Sequence, residues 1–273
     1  MARTTGRRTT RCPLGVNGGE YPHWSVAKIC DLAVKLGAEF VELSARRVIV
    51  GGPQAVLKET RRRRLGIHIG AMVSELTDAF VAAHAVGAPL IVAVDDAIER
   101  AELRRGQSIR VFRQLVVGLL DQPAHRSIRL ALENSVIRIT RLPEDLLVLL
   151  EAVDHPRFGI NFDADNFYNA GTEPFPYAYE LLREHIFQVH VKDSGRYIAA
   201  VHGDDRRVLH RAGGNVVCLP VGTGAVNWTG LIARFQQDGY RGPVSLEPHL
   251  LPQEMAPAME ADATFLRRAG WVR

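Results

Sequence analysis

The sequence predicts a single α/β domain with the (β/α)8 architecture of a TIM barrel. Short apolar runs typical of β-strands alternate with segments of helical periodicity along most of the chain. This alternation favours a parallel sheet whose strands are joined by crossover helices. The chain has 273 residues, and barrels of this kind run to about 250 residues as one domain. No linker interrupts the alternation, so one domain is expected.

The predicted strands are short runs rich in Val, Ile, Leu and Ala, each followed by polar residues. They cover residues 14–17, 40–43, 65–72, 90–94, 128–133, 158–163, 186–192 and 244–247. A set of this number closes into a barrel.

The predicted helices begin and end at residues suited to those positions. Ser25 can act as the N-cap of the first helix, whose apolar residues keep helical spacing up to Gly37. Pro143 suits the first position of another helix. Further helices are predicted at 54–64, 77–86, 108–120, 177–184, 228–237 and 252–269.

The overall composition excludes several classes of protein. Apolar residues make up 47% and charged residues 23% of the chain, as in ordinary globular domains. No apolar stretch reaches the ~18 residues that span a bilayer, so we expect no membrane partner and a cytoplasmic location. Cys12, Cys30 and Cys218 are widely separated and lack CxxC spacing, so they are expected to be free thiols.

The positive charge is concentrated at the N-terminus. The net charge is +4, and Arg3, Arg7, Arg8 and Arg11 account for it. Residues 1–12 are therefore predicted to form a flexible basic arm ahead of the barrel. The remaining sequence is electrically neutral, so no nucleic-acid partner is expected.

Four residues that can bind a divalent metal stand at the downstream ends of the last four predicted strands. They are Glu133, Asp163, His190 and Glu247, spaced by 30, 27 and 57 residues. A strand with its returning helix takes about thirty residues, and the downstream ends of barrel strands open onto one face. Each residue alone could cap a helix or form a surface ion pair. Together they predict a site for one divalent metal, with Mn²⁺ preferred and Mg²⁺, Co²⁺ or Zn²⁺ as alternatives.

The 57-residue interval breaks the repeat. Its surplus lies at about 193–226, a stretch rich in Gly, Asp, Arg and His. In a barrel this stretch follows strand seven at the rim, where long loops cover or clamp substrates. We therefore predict an inserted functional loop.

Several motifs in the second half resemble the xylose isomerase-like TIM barrels, also called the sugar phosphate isomerase/epimerase superfamily. The first half matches mainly in its βα rhythm, including FVEL at 40–43. The motifs are LALEN at 130–134, GINFDADNFYNAGTEP at 159–174, QVHVKD at 188–193, LPVGTGAVNW at 219–228 and GYRGPVSLE at 239–247.

The resemblance implies roles for individual residues. It makes Glu133, Asp163, His190 and Glu247 the ligands of the metal. Many members have a substrate-contacting histidine where this chain has Asn166, and many epimerases have an arginine that matches Arg196. Both are expected to contact a small, sugar-like substrate. A homo-oligomer is also expected from the resemblance alone.

The implied chemistry is proton transfer through an enediolate. Glu133 and Glu247 could flank the reacting carbon, one removing a proton and the other returning it. This predicts an isomerase or epimerase of a small sugar, keto-sugar or cyclitol. A substrate with a leaving hydroxyl would instead lose water, so a dehydratase of an inosose-like or dehydroshikimate-like compound is the alternative.

Two further classes are less favoured. A DNA repair enzyme of the endonuclease IV type needs ligands for three zinc ions, whereas this chain has Asn166 and Asp95 where histidines are expected. A barrel that only binds a ligand would have little need for a complete metal set.

Secondary candidates lie on strands two, three and seven. His68 could contact substrate or be a buried structural histidine, and Lys192 could reach a substrate oxygen. Glu42 could bind a sugar hydroxyl or form an ion pair at the rim, and Asp193 is expected to anchor a loop. Residues 222–224 form a Gly-Thr-Gly turn that could bind phosphate through backbone amides, although a turn into the next helix is the simpler interpretation.

Three more histidines are candidates only by position. His202 and His210 lie within the inserted stretch and could enter the site if it folds over the barrel. His249 lies two residues after Glu247.

Overall fold

A computed structural model describes residues 11–19, 21–98, 102–136, 138–202, 208–211, 214–250 and 252–273. Its centre is a closed barrel of parallel strands. The barrel strands are β1 Leu14–Asn17, β2 Phe40–Ser44, β3 Gly66–Met72, β4 Leu90–Val94, β5 Arg129–Glu133, β6 Phe158–Asp163, β7 Ile186–Val191 and β11 Val244–Leu246. Around the barrel they follow the order β1-β11-β7-β6-β5-β4-β3-β2. The predicted TIM barrel is confirmed, and every predicted strand is present.

The helices surround this barrel on the outside. They are α1 Val26–Lys35, α2 Ala45–Gly51, α3 Pro53–Arg62, α4 Leu76–Val86, α5 Glu102–Leu120, α6 Pro143–Val153, α7 Ala164–Asn169, α8 Tyr179–Leu182, α9 Ala199–His202, α10 Trp228–Gln237 and α11 Pro252–Arg268. Among the described residues, no helix combines the length and apolar character that a membrane span requires.

Local capping explains where several helices begin. Ser25 caps α1 as predicted, since its side chain accepts a hydrogen bond from Lys28 N. Ser44 caps α2 in the same way. Helix α2 was not predicted from the sequence, because its run ARRVIVG is short and lacks a clear apolar face. The helix predicted at 108–120 begins earlier, at Glu102.

The helix predicted at 177–184 is shorter than expected. A π-helical segment, Pro174–Ala178, precedes α8, and a 3-10 turn, Arg183–His185, follows it. Three short helical segments of different type therefore stand in place of the single α-helix predicted at 177–184.

The inserted stretch is not an irregular loop. β8 Asp193–Arg196, β9 Val208–Arg211 and β10 Gly214–Leu219 form an antiparallel sheet in the order β8-β10-β9. Within 193–226, residues 203–207 and 212–213 lie outside the described part. The small sheet therefore begins directly after β7, beside the downstream ends of the barrel strands.

The predicted N-terminal arm comprises residues 1–12. Residues 1–10 lie outside the described residues. Cys12 belongs to the folded body, because it is buried and pairs in parallel with Val272 near the other end of the chain. All three cysteines are buried, and none forms a disulfide among the described residues.

Candidate metal centre

Four acidic and imidazole side chains meet at the downstream end of the barrel. One ligand atom from each of Glu133, Asp163, His190 and Glu247 lies within 4.8 Å of the others. All four side chains are buried. Among the described residues, no other group of His, Cys, Asp and Glu offers ligand atoms this close together.

Strand register brings these residues together. Asp163 pairs with His190 between β6 and β7, and Glu133 pairs with Asn161 between β5 and β6. Glu247 follows β11, and its backbone N–H donates to Val191 O. Side chains two residues apart on a strand share a face, so positions 161 and 163, like 188 and 190, point into the same interior.

The imidazole of His190 lies among carboxylates. Its Nδ1 is 3.1 Å from both Glu133 Oε2 and Glu247 Oε2, and its Nε2 is 3.1 Å from Glu42 Oε2. Burial lowers the pKa of His190, but the carboxylates of Glu247, Glu42 and Glu133 outweigh it and raise the pKa well above its ordinary value. The surrounding carboxylates therefore favour the charged form of the His190 imidazole.

A buried lysine supplies a second positive charge. Lys192 Nζ lies 2.7 Å from both Asp163 Oδ2 and Glu247 Oε2. Burial lowers the pKa of Lys192, but Asp163 and Glu247 raise it well above its ordinary value. Trp228 Nε1 donates to the backbone carbonyl of Lys192, which ties the end of β7 to α10.

Three amide side chains hold the carboxylates without adding charge. Asn161 Nδ2 donates to Glu133 Oε2 and Asn166 Nδ2 donates to Glu133 Oε1, both at 3.0 Å. Asn17 Nδ2 donates to Glu247 Oε1 at 2.7 Å. These hydrogen bonds orient the carboxylates while leaving their negative charge available to a cation.

The donor set fits a divalent cation. Asp163 Oδ2 and His190 Nδ1 are buried and lack a hydrogen bond of good geometry: Lys192 Nζ lies 2.7 Å from the first, and two carboxylate oxygens lie 3.1 Å from the second. Buried polar atoms normally have a partner. Oxygen donors with one imidazole suit hard or borderline cations, so an ion here would satisfy both atoms.

The substrate-binding residues predicted from the sequence lie in different surroundings. Asn166 and Lys192 lie in the centre itself and contact its carboxylates. His68 is buried on β3, its ring stacked on Phe40 and its Nδ1 2.7 Å from Gln188 Oε1. Arg196 is in β8 with an exposed side chain.

The remaining candidates also have identifiable positions. Glu42 is buried and contacts His190. His249 Nε2 lies 3.8 Å from Glu247 Oε2. Asp95 accepts hydrogen bonds from the backbone of Ala97 and Ile98 and so caps a turn. The side chains of His202 and His210 lie outside the described part.

Asp193 anchors the Gly-Thr-Gly turn. Its Oδ2 accepts from Gly222 N at 2.9 Å and Gly224 N at 3.0 Å, and its Oδ1 accepts from Val226 N at 3.2 Å. A Cβ at position 224 would lie 2.2 Å from Asp193 Oδ1, which explains the glycine. These amides are committed to Asp193, which favours the structural interpretation of the turn over phosphate binding.

Gln188, Asn17 and Asn161 were missed from the sequence. Gln188 and Asn161 each stand two residues before a candidate ligand, so strand periodicity gave a signal for both. Asn17 ends β1, and its contact with Glu247 depends on the first and last barrel strands being neighbours.

Solved structures confirm the fold at low sequence identity. The probable 3-DHS dehydratase AsbF from Bacillus anthracis has a TM-score of 0.73 at 19% identity, over 93% of this chain and 98% of its own. D-allulose 3-epimerase from Methylomonas sp., in complex with D-allulose, has a TM-score of 0.70 at 15% identity, over 95% and 98%. A xylose isomerase-like TIM barrel protein from Mycobacterium smegmatis, in complex with magnesium, has a TM-score of 0.71 at 17% identity, over 96% and 97%.

The search of curated proteins found no significant match to the sequence. The sequence profile described as "Xylose isomerase-like TIM barrel" matches residues 68–269, which is well over half of the chain. The match includes three barrel strands upstream of β6 as well as the whole region of the candidate ligands. The chain therefore belongs to the xylose isomerase-like TIM barrel family.

Proposed function

We propose that the chain is a divalent-metal-dependent isomerase or epimerase of a small sugar, keto-sugar or cyclitol. This proposal rests on one buried site, in which the ligand atoms of four residues lie within 4.8 Å of one another: Glu133, Asp163, His190 and Glu247. Burying three carboxylates together with Lys192 and His190 is costly, because all of these charged groups lose contact with water. Such a centre is expected to be retained for the chemistry that a metal makes available.

Mn²⁺ is the proposed metal, with Mg²⁺, Co²⁺ or Zn²⁺ able to replace it. Glu133, Asp163, His190 and Glu247 would hold it. Carboxylate oxygens suit hard cations, and one imidazole extends the choice to borderline ones. When bound, the cation supplies positive charge that stabilises the enediolate of a carbonyl substrate.

Glu133 and Glu247 are the proposed proton carriers. Both carboxylates lie 3.1 Å from the same atom, His190 Nδ1, and they come from β5 and from the end of β11. They therefore approach the centre from different strands. One would take the proton next to the carbonyl, and the other would return it to the same carbon or to its neighbour.

Neighbouring side chains would orient these carboxylates and the substrate. Asn161 and Asn166 hold Glu133, while Asn17 and Lys192 hold Glu247. The Lys192 ammonium could donate to a substrate oxygen while keeping its contact with Asp163. Arg196 is the other proposed substrate contact, and for His68 the sequence left a substrate contact and a structural role open.

Dehydration is the second candidate function, and the position of Lys192 favours it. Elimination builds negative charge on the leaving hydroxyl oxygen, and the buried Lys192 ammonium, 2.7 Å from Glu247, could stabilise that charge by donating a hydrogen bond. A barrel of the same fold, from Bacillus anthracis, is described as a probable 3-DHS dehydratase.

Metal analysis and solvent deuterium exchange test the two functions together. The purified chain would be loaded with Mn²⁺, assayed for bound metal and incubated in D₂O with ketoses, inososes and dehydroshikimate. Deuterium at the carbon next to the carbonyl, with a new sugar or cyclitol isomer, would support an isomerase or epimerase. Loss of water would support the dehydratase, with a 2-hydroxyenone or its dione tautomer formed from an inosose, or a dihydroxybenzoate formed from dehydroshikimate. A chain that holds no divalent metal after loading contradicts the proposed function.

A further inference from the structure

Hydrogen bonds connect His190 to side chains deeper in the barrel. Gln188 Nε2 lies 2.7 Å from Glu42 Oε2, the oxygen that faces His190 Nε2, and Gln188 Oε1 lies 2.7 Å from His68 Nδ1. The chain of contacts therefore runs His190, Glu42, Gln188, His68. All four residues are buried and project from β2, β3 and β7.

We infer that Glu42 is a positioning residue for the metal ligand His190, and that Gln188 and His68 position Glu42 in turn. The inference rests on the proposed metal centre. It assigns His68 an internal role in place of the substrate contact considered above. Nothing in it requires Glu42 to touch the metal or the substrate.

The two nitrogens of His190 face different partners. Nδ1 is directed at Glu133 Oε2 and Glu247 Oε2, each 3.1 Å away. Nε2 is 3.1 Å from Glu42 Oε2 and 3.2 Å from Gln188 Nε2. The Gln188 amide donates to Glu42 at 2.7 Å, so the acceptor facing a proton on His190 Nε2 is Glu42. A neutral imidazole that binds a metal through Nδ1 must carry its proton on Nε2, and a carboxylate that accepts this proton fixes the tautomer and the ring orientation.

Glu42 is itself held from two sides. Its Oε2 accepts from Gln188 Nε2, and its Oε1 lies 3.4 Å from Asn17 Nδ2, the amide that also donates to Glu247 Oε1. Asn17 pairs with Glu42 in the strand register, and Glu42 pairs with His68. The Glu42 carboxylate is thus connected through one amide to a second candidate ligand.

His68 determines which way the Gln188 amide points. Burial lowers the pKa of His68, so its ring is neutral and carries one proton, which it can donate from Nδ1 to Gln188 Oε1. The Gln188 NH₂ group then faces Glu42. The opposite amide orientation would place Gln188 Oε1 against the Glu42 carboxylate, where two acceptors repel.

Metal affinity of the Glu42→Gln variant tests the inference directly. Calorimetric titration of the metal-free protein with Zn²⁺ or Mn²⁺ should give about 10- to 100-fold weaker binding than in the unchanged chain, as expected for a lost partner of a ligating histidine. His68→Phe keeps an aromatic ring beside Phe40 but removes the donor to Gln188, and a smaller loss of affinity is expected. Glu39→Gln is the matched control. It makes the same chemical change on a half-exposed residue just before β2, whose partner is Arg273, and should leave metal affinity unchanged.

The tautomer of His190 provides a readout that does not depend on folding of a variant. In Zn²⁺-loaded, ¹⁵N-histidine-labelled protein, nitrogen–proton correlation spectra should show His190 coordinated through Nδ1 and protonated at Nε2. In Glu42→Gln, the Nε2 proton signal should shift and exchange faster with solvent. A fold that is merely destabilised would lower the melting temperature without this spectroscopic change.

The outcomes separate this inference from the proposed function. If the unchanged chain binds no divalent metal, the proposed function fails and this inference fails with it. If the unchanged chain binds metal, the inference alone is overturned by any one of three results: Glu42→Gln binding as tightly as the unchanged chain, Zn²⁺ bound through His190 Nε2, or an unprotonated His190 Nε2 that accepts a hydrogen bond from Gln188 Nε2.

Discussion

At the residue scale, the candidate site is built from carboxylates whose oxygens have different partners. Both oxygens of Glu133 accept from neutral amides, whereas Glu247 accepts from one amide and from the Lys192 ammonium. An ammonium partner stabilises the charged form of a carboxylate more than an amide does. The two proposed proton carriers therefore differ in their surroundings although they face the same centre.

Replacing either proposed proton carrier should abolish most of the exchange reaction. Glu133→Gln and Glu247→Gln keep the size of the side chain but remove the basic oxygen, so deuterium exchange into substrate should fall by about 10²- to 10⁴-fold. Exchange is measured by mass spectrometry at saturating metal, with Glu39→Gln as the control. Retention of more than a tenth of the exchange rate in either variant would contradict its role.

Removal of the buried ammonium should make stability depend more strongly on metal. In Lys192→Met, Asp163 and Glu247 lose their counter-ion, and breaking a buried pair costs about 3–5 kcal/mol. Thermal unfolding with a chelator should show this loss. Added Mn²⁺ should restore more stability to the variant than to the unchanged chain, since the ion replaces the missing charge. An equal metal response in both proteins would count against the proposed arrangement.

The sequence pointed to the candidate ligands but not to most of the side chains that contact them. Glu133, Asp163, His190 and Glu247 could be found because each stands at the end of an apolar run. The contacts of Gln188 and Asn17 depend on which strands are neighbours and on a register that only the closed barrel defines. For the same reason the sequence did not reveal that Glu42 faces His190 from the opposite side of the interior.

At the element scale, the small antiparallel sheet was the largest departure from expectation. Its strands are short, and the stretch contains Gly, Asp, Arg and His with little alternation of apolar and polar residues, so it looked like a loop. The barrel strands were easier to predict because each is buried on both faces and reads as a continuous apolar run. Helix α2 and the segment around α8 were missed or misjudged because both are short.

The turn that connects this sheet to α10 should depend on the Asp193 carboxylate. Asp193→Asn leaves one acceptor oxygen for the three amides of Gly222, Gly224 and Val226, and places its NH₂ group against at least one of them. The loss should be about 1–3 kcal/mol of the free energy of unfolding, measured by urea denaturation. Thr223→Ala changes an exposed side chain of the same turn and should cost much less. A loss in Asp193→Asn no larger than in Thr223→Ala would show that the turn does not need this anchor.

Helix α11 holds the same turn through a pH-sensitive group. Asp262 is buried and accepts a hydrogen bond from Val221 N at 2.8 Å, and burial raises the pKa of its carboxyl to about 7. A raised pKa means that the fold favours the protonated form. Its contribution to stability is therefore present at low pH and is lost as the pH rises from about 4 through 7.

Asp262→Asn should remove this pH dependence. The amide stays neutral, so the variant should gain stability relative to the unchanged chain between pH 5 and pH 8. Urea denaturation at both values measures the difference. If the difference in stability between the variant and the unchanged chain is the same at both pH values, Asp262 is ionised in the folded protein at both. A change in the opposite direction would also contradict a raised pKa.

At the scale of the whole molecule, the first and last described segments are joined. Cys12 N donates to Trp271 O, and Arg273 N donates to Cys12 O. Burial raises the pKa of the Cys12 and Cys30 thiols to about 11. Both thiols are therefore protected by burial and by a low population of thiolate.

Thiol labelling should report unfolding of the entire barrel. A disulfide reagent such as dithionitrobenzoate should leave Cys12 and Cys30 unmodified in the native protein and label both in urea. With increasing urea, their modification should follow the loss of far-ultraviolet circular dichroism. Rapid labelling of Cys12 without urea would mean that the contact with Val272 opens independently of the barrel.

A buried polar layer inside the barrel, formed by Asn17, Glu42, Gln188 and His190, limits how such a chain can change in evolution. A shift of one residue along β7 would turn Gln188 and His190 outward and bring apolar side chains into their places. Replacing one member of the layer leaves its partners buried without a hydrogen bond, and such groups are costly. The first single substitution in this layer is therefore expected to destabilise the fold. An inactive descendant should have several of these residues exchanged together. In distant relatives, the joint presence of Asn17, Glu42, Gln188 and His190 should mark an active centre better than any one of them.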